Sequence, residues 1–225
     1  MKNIFSILLS VLLPFVFWAC SAAPTITKVT SLVPLSDDDK KVSKNGITIE
    51  ITPINPTNVL SYTDLQTKVN VVEQIPLLGP VNKEQQINNV LLGLTFALNI
   101  TNNTGHIIKM AGSDVGLTAQ SKDIKKLGRE HILQIWAADP KYVTSLPTIQ
   151  SAIMSVPYWD EALRILPGKT ILAYVSFDVM LKEGIGQTTL SVYDLVTNTD
   201  NAGNPTERTN FDFNLKELTS VVTNQ

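Results

Sequence analysis

VLLGLTFALNIT, residues 90–101, is the stretch on which the fold turns. Apolar side chains fall at every second position: Leu92, Leu94, Phe96, Leu98 and Ile100. A period of two places them on one face of a strand, whereas a helix would bring them round at spacings of three and four. The run ends in Asn102-Asn103-Thr104-Gly105, residues that tolerate positive φ and close a turn.

Working outward, the same rhythm recurs on both sides. Ile47, Ile49 and Ile51 alternate with Thr48, Glu50 and Thr52, and Pro53 and Pro56 are expected to end that strand. Residues 68–75 (KVNVVEQI) form another, followed by IPLLGPVNKEQQINN, which reads as a loop because of its two prolines and its glycine. Short strands are expected at 106–110 and 114–120. Beyond residue 170, Ile171, Ala173, Val175, Phe177 and Val179 alternate; a Gly-containing turn at 183–186 leads to a strand at 188–196. A polar loop, 197–206, precedes a last strand at 208–215 with Phe211 and Phe213 on one face. Six to eight short strands separated by Asn/Gly/Pro turns predict a mainly β chain, an antiparallel β-sandwich. Strands with one wet and one buried face fit that arrangement better than a parallel sheet.

Residues 129–166 break the alternation and read as a helical insertion. Ser145 precedes a stretch with Pro147 in its first turn. Pro157, with Asp160 and Glu161 behind it, has the chemistry of a further helix start, and Trp159, Leu163 and Leu166 follow at helical spacing until Pro167-Gly168.

The amino terminus has a different logic. Lys2 supplies a short positive segment, residues 4–17 are an uncharged apolar run, and Ala19-Cys20 follows. This is the layout of an export signal; the run is shorter than the roughly 20 residues of a spanning helix and contains Pro14. Cys20 is the one cysteine of the chain, so no intramolecular disulfide forms. A small residue and then a lone cysteine behind an apolar run resembles the lipobox of bacterial lipoproteins, although Phe17 and Trp18 are bulkier than its usual residues. The resemblance implies cleavage before Cys20, lipidation of its thiol and an anchor of several acyl chains, enough for firm attachment to a bilayer. Ser21 after the cysteine, where the family places Asp for retention at the inner membrane, implies the outer membrane of a cell envelope. The expected organisation is a signal peptide at 1–19, a lipidated Cys20 and flexible tether at 20–45, a sandwich at 46–216 and a tail at 217–225.

Two segments extend the likeness to a fold family. Residues 94–110 (LTFALNITNNTGHIIKM) and 166–179 (LPGKTILAYVSFDV) resemble extracytoplasmic immunoglobulin-like domains carried by many bacterial lipoproteins, and are similar in layout to the sandwich domains of late-embryogenesis-abundant proteins. Both are turn and strand signatures. They imply an immunoglobulin-like β-sandwich over residues 90–200 and no particular activity.

Candidate chemistry is sparse. The formal charge is −2, from 18 basic and 20 acidic residues, too weak and mixed to point to nucleic acid. His106 and His131 are the two histidines, with no metal-ligand spacing and no Gly-x-Ser-x-Gly elbow in the chain. Gly168-Lys169-Thr170 lacks the upstream glycine of a phosphate loop. Asp37-Asp38-Asp39 lacks the spacing of a calcium loop. The sequons at Asn99 and Asn102 are ordinary turn chemistry. No catalytic residue, metal or cofactor is expected. What stands out is aromatic: Trp136, Tyr142, Tyr158 and Trp159 cluster in the insertion as candidates for contact with a protein partner. The alternative is that these rings form a satellite core holding the insertion to the sandwich. The expectation is a non-enzymatic, membrane-anchored envelope lipoprotein with an envelope protein partner, or alternatively one that binds a glycan or an apolar small molecule.

Overall fold

The computed structural model describes residues 25–159, 163–179, 185–200, 202 and 204–224. Cys20 and the expected signal peptide lie outside the described residues. The chain clusters into two units, residues 30–219 and a small unit of residues 1–29 with 220–225. In the latter only the strand ends 25–29 and 220–224 are described.

Residues 30–219 form an antiparallel β-sandwich with a helical insertion. The strands are β1 (Thr25–Pro34), β2 (Lys41–Lys44), β3 (Ile47–Ile54), β4 (Thr67–Ile75), β5 (Gly79–Ile87), β6 (Leu94–Asn102), β7 (Ile108–Lys109), β8 (Asp114–Ala119), β9 (Lys122–Ile124), β10 (Arg164–Ile165), β11 (Thr170–Phe177), β12 (Thr188–Thr199) and β13 (Pro205–Asn224). The helices are α1 (Arg129–Ala138) and α2 (Leu146–Ser155), joined by a 3-10 segment, Pro140–Ser145. One sheet has the order β1-β13-β12-β8-β9 and the other β11-β6-β3-β2, with two further pairs, β10-β7 and β4-β5.

The register shows how alternation builds the core. In the second sheet Ile51 lies opposite Leu98, and Ile49 opposite Ile100, while Val175 lies opposite Phe96. These inward residues meet Val115, Leu117, Leu190, Val192, Phe211 and Phe213 of the first sheet in one buried cluster. Phe96 and Phe177 pack edge to face, 6.0 Å between centroids.

A second core lies on the other face of the same sheet. Ala97 and Tyr174, opposite each other on β6 and β11, point away from the first core and are buried with Ile132, Trp136, Ile149 and Ile153 of the helices and Val69, Val71 and Ile87 of β4 and β5. The insertion therefore forms a third layer, and β6 is buried on both faces through most of its length. The expectation of one wet face fails for this strand because the helices and hairpin cover it.

Several boundaries differ from expectation. The strand expected from residue 90 begins at Leu94. Leu92 and Gly93 are left-handed, with φ of 59° and 55°. The Leu92 carbonyl accepts from two buried hydroxyls, Thr95 Oγ1 and Ser176 Oγ. A Cβ on Gly93 would stand 2.2 Å from the Phe177 carbonyl oxygen, so glycine is required there. The stretch after residue 75, expected as a loop, is β5, paired with β4 from Ile75↔Gly79 to Thr67↔Ile87. Pro80 is tolerated because, among the described residues, β5 pairs with β4 alone. Pro53 does not end β3, which runs on to Ile54.

The expected flexible tether carries β1 and β2. Leu32 of β1 is buried in the main core, and the Leu35 amide donates to the Asn214 carbonyl. The expected tail continues β13, whose strand reaches Asn224. Residues 157–166 are not helical where described. Tyr158 bridges Tyr174, and Arg164–Ile165 pairs with Ile108–Lys109; Asp160, Glu161 and Ala162 lie outside the described residues. The Pro157 carbonyl accepts from the Tyr174 amide and the Trp159 amide donates to the Tyr174 carbonyl, so sheet bonds outcompete the local helical pattern.

Candidate functional site

The four rings expected to meet a partner are mostly interior. Trp136 on α1 stands edge-on to Tyr142 at 4.8 Å, and its indole Nε1 donates to the Val90 carbonyl at 2.8 Å. Tyr142, half-buried, accepts from Gln85 Nε2 of β5 at 3.1 Å. Tyr158 donates its hydroxyl to the Leu127 carbonyl and accepts from the Ser176 amide at 3.1 Å. Burial pushes its phenol up to about 12. Trp159 belongs to the main sandwich core. Trp136, Tyr158 and Trp159 are 7%, 4% and 3% exposed, so they are not a docking face. Trp136 and Tyr158 tie the third layer to the sandwich, while Trp159 packs inside the sandwich itself. Tyr174 is the centre of that layer: fully buried, edge-on to Tyr62 at 6.1 Å, its hydroxyl donating to Asp64 Oδ1 at 2.8 Å. Burial first, and then the Asp64 carboxylate, push its phenol upward.

Several of the residues scanned for chemistry have structural partners. Asn102, buried, donates through Nδ2 to the carbonyls of His106 and Ile165 at 2.7 and 2.9 Å and accepts at Oδ1 from the Thr104 amide and hydroxyl. Its own amide donates to the Lys169 carbonyl, and the Gly168 amide donates to its carbonyl. The turn after β6 and the Leu166-Pro167-Gly168 turn are thus pinned together by one side chain. Gly168 has φ +68°, so Gly-Lys-Thr is a strand-opening turn. His106 Nε2 lies 2.8 Å from the Thr197 carbonyl, and His131 stands on α1. Asp39 accepts from Ser36 Oγ at 2.5 Å and from Asn214 Nδ2 at 2.8 Å; the Ser36 bond leads in holding its carboxyl below the usual range. Among the described residues no cluster of three His, Cys, Asp or Glu side chains is placed to hold a metal, and no helix is long and apolar enough to cross a membrane.

Two surfaces have ligand-like chemistry. One is a cleft of about 390 Å³ between α1 and α2, walled by Leu133, Ile153 and Met154 with Arg129, Glu130 and Gln150 around it. The other is the tip of the β4–β5 hairpin. The buried base of this hairpin packs under the insertion through Val69, Val71 and Ile87, and Ser145 Oγ donates to the Asn70 carbonyl. The far end, Ile75-Pro76-Leu77-Leu78-Gly79-Pro80-Val81, is exposed, with Leu77 at 105% and Leu78 at 76%. Nothing in the alternation rule identifies it. The available signal was the absence of charge from Gln74 to Asn82, together with paired leucines in a proline–glycine turn.

No family model, curated protein or solved structure matches the chain.

Proposed function

We propose that this protein is a lipid-anchored lipoprotein of a bacterial cell envelope that works by contact rather than catalysis. The observation that carries this reading is Ala19-Cys20 behind a 14-residue apolar run, residues 4–17, in a chain with no other cysteine. The resemblance to immunoglobulin-like extracytoplasmic domains supports it: the two segments that carry the likeness are the two that Asn102 joins. Such a sandwich is a rigid carrier for surfaces, and its partner is another component of the envelope. Ser21 favours the outer membrane. The anchor is tested by feeding cells an alkynyl fatty acid and fractionating them. Wild type incorporates the label and sediments with membranes. The Cys20→Ala chain incorporates none and is released from the membrane pellet; label retained by that variant overturns the reading.

The cleft between α1 and α2 supports a second reading, an envelope protein that binds an apolar small molecule, because its volume and its apolar walls suit a compact ligand. Native mass spectrometry of protein purified from the envelope checks it. A bound mass that is lost on Met154→Trp supports this reading, and an empty chain counts against it.

A further inference from the structure

Among the described residues, Ile75, Leu77, Leu78 and Val81 are exposed apolar groups gathered at one end of one hairpin, the β4–β5 turn. We propose that this hairpin tip inserts into the headgroup–acyl boundary of a lipid bilayer. The inference rests on the envelope reading for the presence of a membrane within reach.

The chemistry of the tip fits lipid at each level. From Gln74 to Asn82 there is no charge, and Leu77, Leu78, Ile75 and Val81 present their side chains to solvent. The backbone is also prepared for a poor hydrogen-bonding medium. Pro76 and Pro80 have no N–H, and the Leu78 amide is spent on the Ile75 carbonyl at 3.1 Å. Few donors are therefore stranded when the turn leaves water. Leu77 has φ +72°, a conformation that glycine or asparagine would ordinarily occupy. A fully exposed leucine is held in strained backbone where a polar turn residue would suit water better.

Size and charge choose lipid over protein. The exposed large apolar side chains at the tip, Ile75, Leu77, Leu78 and Val81, fall well short of the roughly 20–30 residues that each side of a stable protein interface contributes. It is the convex end of a two-stranded ribbon, a shape that needs a matching pocket in a protein but none in a fluid boundary. Behind the tip the charges are matched: Glu73 with Lys83 at 3.6 Å and Lys68 with Glu84 at 2.9 Å. The hairpin thus projects no net charge towards a membrane, and its insertion follows apolar area rather than anionic lipid.

The test uses the full chain, processed in cells and mixed with excess vesicles of phosphatidylethanolamine and phosphatidylglycerol. An environment-sensitive fluorophore is placed on Leu77→Cys and, as a reference, on Leu60→Cys, an exposed site in a separate turn. Circular dichroism confirms that both variants fold. Insertion shifts the tip emission to the blue, and spin-labelled lipid quenches it about threefold or more over the reference, as expected for a depth of roughly 5–10 Å. A tip that stays as open to iodide as the reference overturns the inference. So does a tip shielded from iodide yet untouched by lipid quencher, which would mean a protein or a second copy covers it. Mass analysis of Cys20 in the same sample separates the two proposals. Acylation with an aqueous tip overturns the insertion alone, whereas a quenched tip without acylation upholds it and removes the envelope reading.

Discussion

Trp136 in the insertion and Leu77 in the hairpin reverse what residue type alone would assign them. The tryptophan, of a type enriched at interfaces, is 7% exposed and hydrogen-bonded to the Val90 carbonyl. The leucine, of a type usual in cores, is fully exposed. Both belong to the layer outside the β11-β6-β3-β2 sheet. The difference lies in what each element can pack against. Two short helices are held by burying an apolar face against the sheet, and Trp136 is part of that buried face. A two-stranded ribbon is stable only where another element covers it. Its base is covered by the insertion, and its far end is not.

This contrast breaks most readily in the interior. Trp159→Ala and Trp136→Ala should each cost about 3–5 kcal/mol of stability, since each opens a large cavity in a buried cluster. Urea unfolding measures this, and a loss below about 1 kcal/mol would return the rings to the surface. Asn102→Ala should cost about 2–4 kcal/mol, because two carbonyls and two donors lose their partner at a buried site. Its hydrogen-exchange signature should appear in both the 103–107 and 165–169 turns.

Alkaline titration sharpens the same comparison. Tyr158 is raised from 10.0 to about 12, and Tyr174 is raised as well. A phenol with a raised folded pKa holds its proton more tightly in the folded state. The resulting stability is fully present below pH about 10 and drains away as pH climbs from there through the folded values. Midpoints of unfolding should therefore fall between pH 10 and 12, and less steeply in Tyr158→Phe. A flat profile would mean that these phenols are solvated.

The smallest effect belongs to the tip. Leu77→Gly relieves the left-handed strain but frees the unfolded chain, so stability should change by no more than about 1 kcal/mol in either direction. A larger loss would show that Leu77 packs against something in the folded protein.

Alternation along 47–51, 94–100, 171–177 and 211–213 was enough to establish a mainly β sandwich, because a period of two admits one geometry wherever a face is buried. The Pro167-Gly168 turn was legible because Gly168 is left-handed, whereas Asn102, Asn103, Thr104 and Gly105 all keep negative φ and their turn is held by the hydrogen bonds of the Asn102 side chain. Helix α2 was legible from Pro147 in its first turn. Other features were decided only by tertiary contact. Leu92 continues the alternation in sequence, yet leaves the strand because Thr95 and Ser176 capture its carbonyl. Residues 158–165 have helical spacing, yet Tyr158 and Trp159 lie along the edge strand β11 and Arg164–Ile165 pairs with β7, satisfying backbone groups a helix would have used. Residues 25–45 have little apolar clustering, yet form strands because β13 and β3 offer them free edges. Whether an aromatic or a leucine faces core or solvent is likewise not a property of the residue. It depends on which element folds over it, and a local pattern carries no record of that.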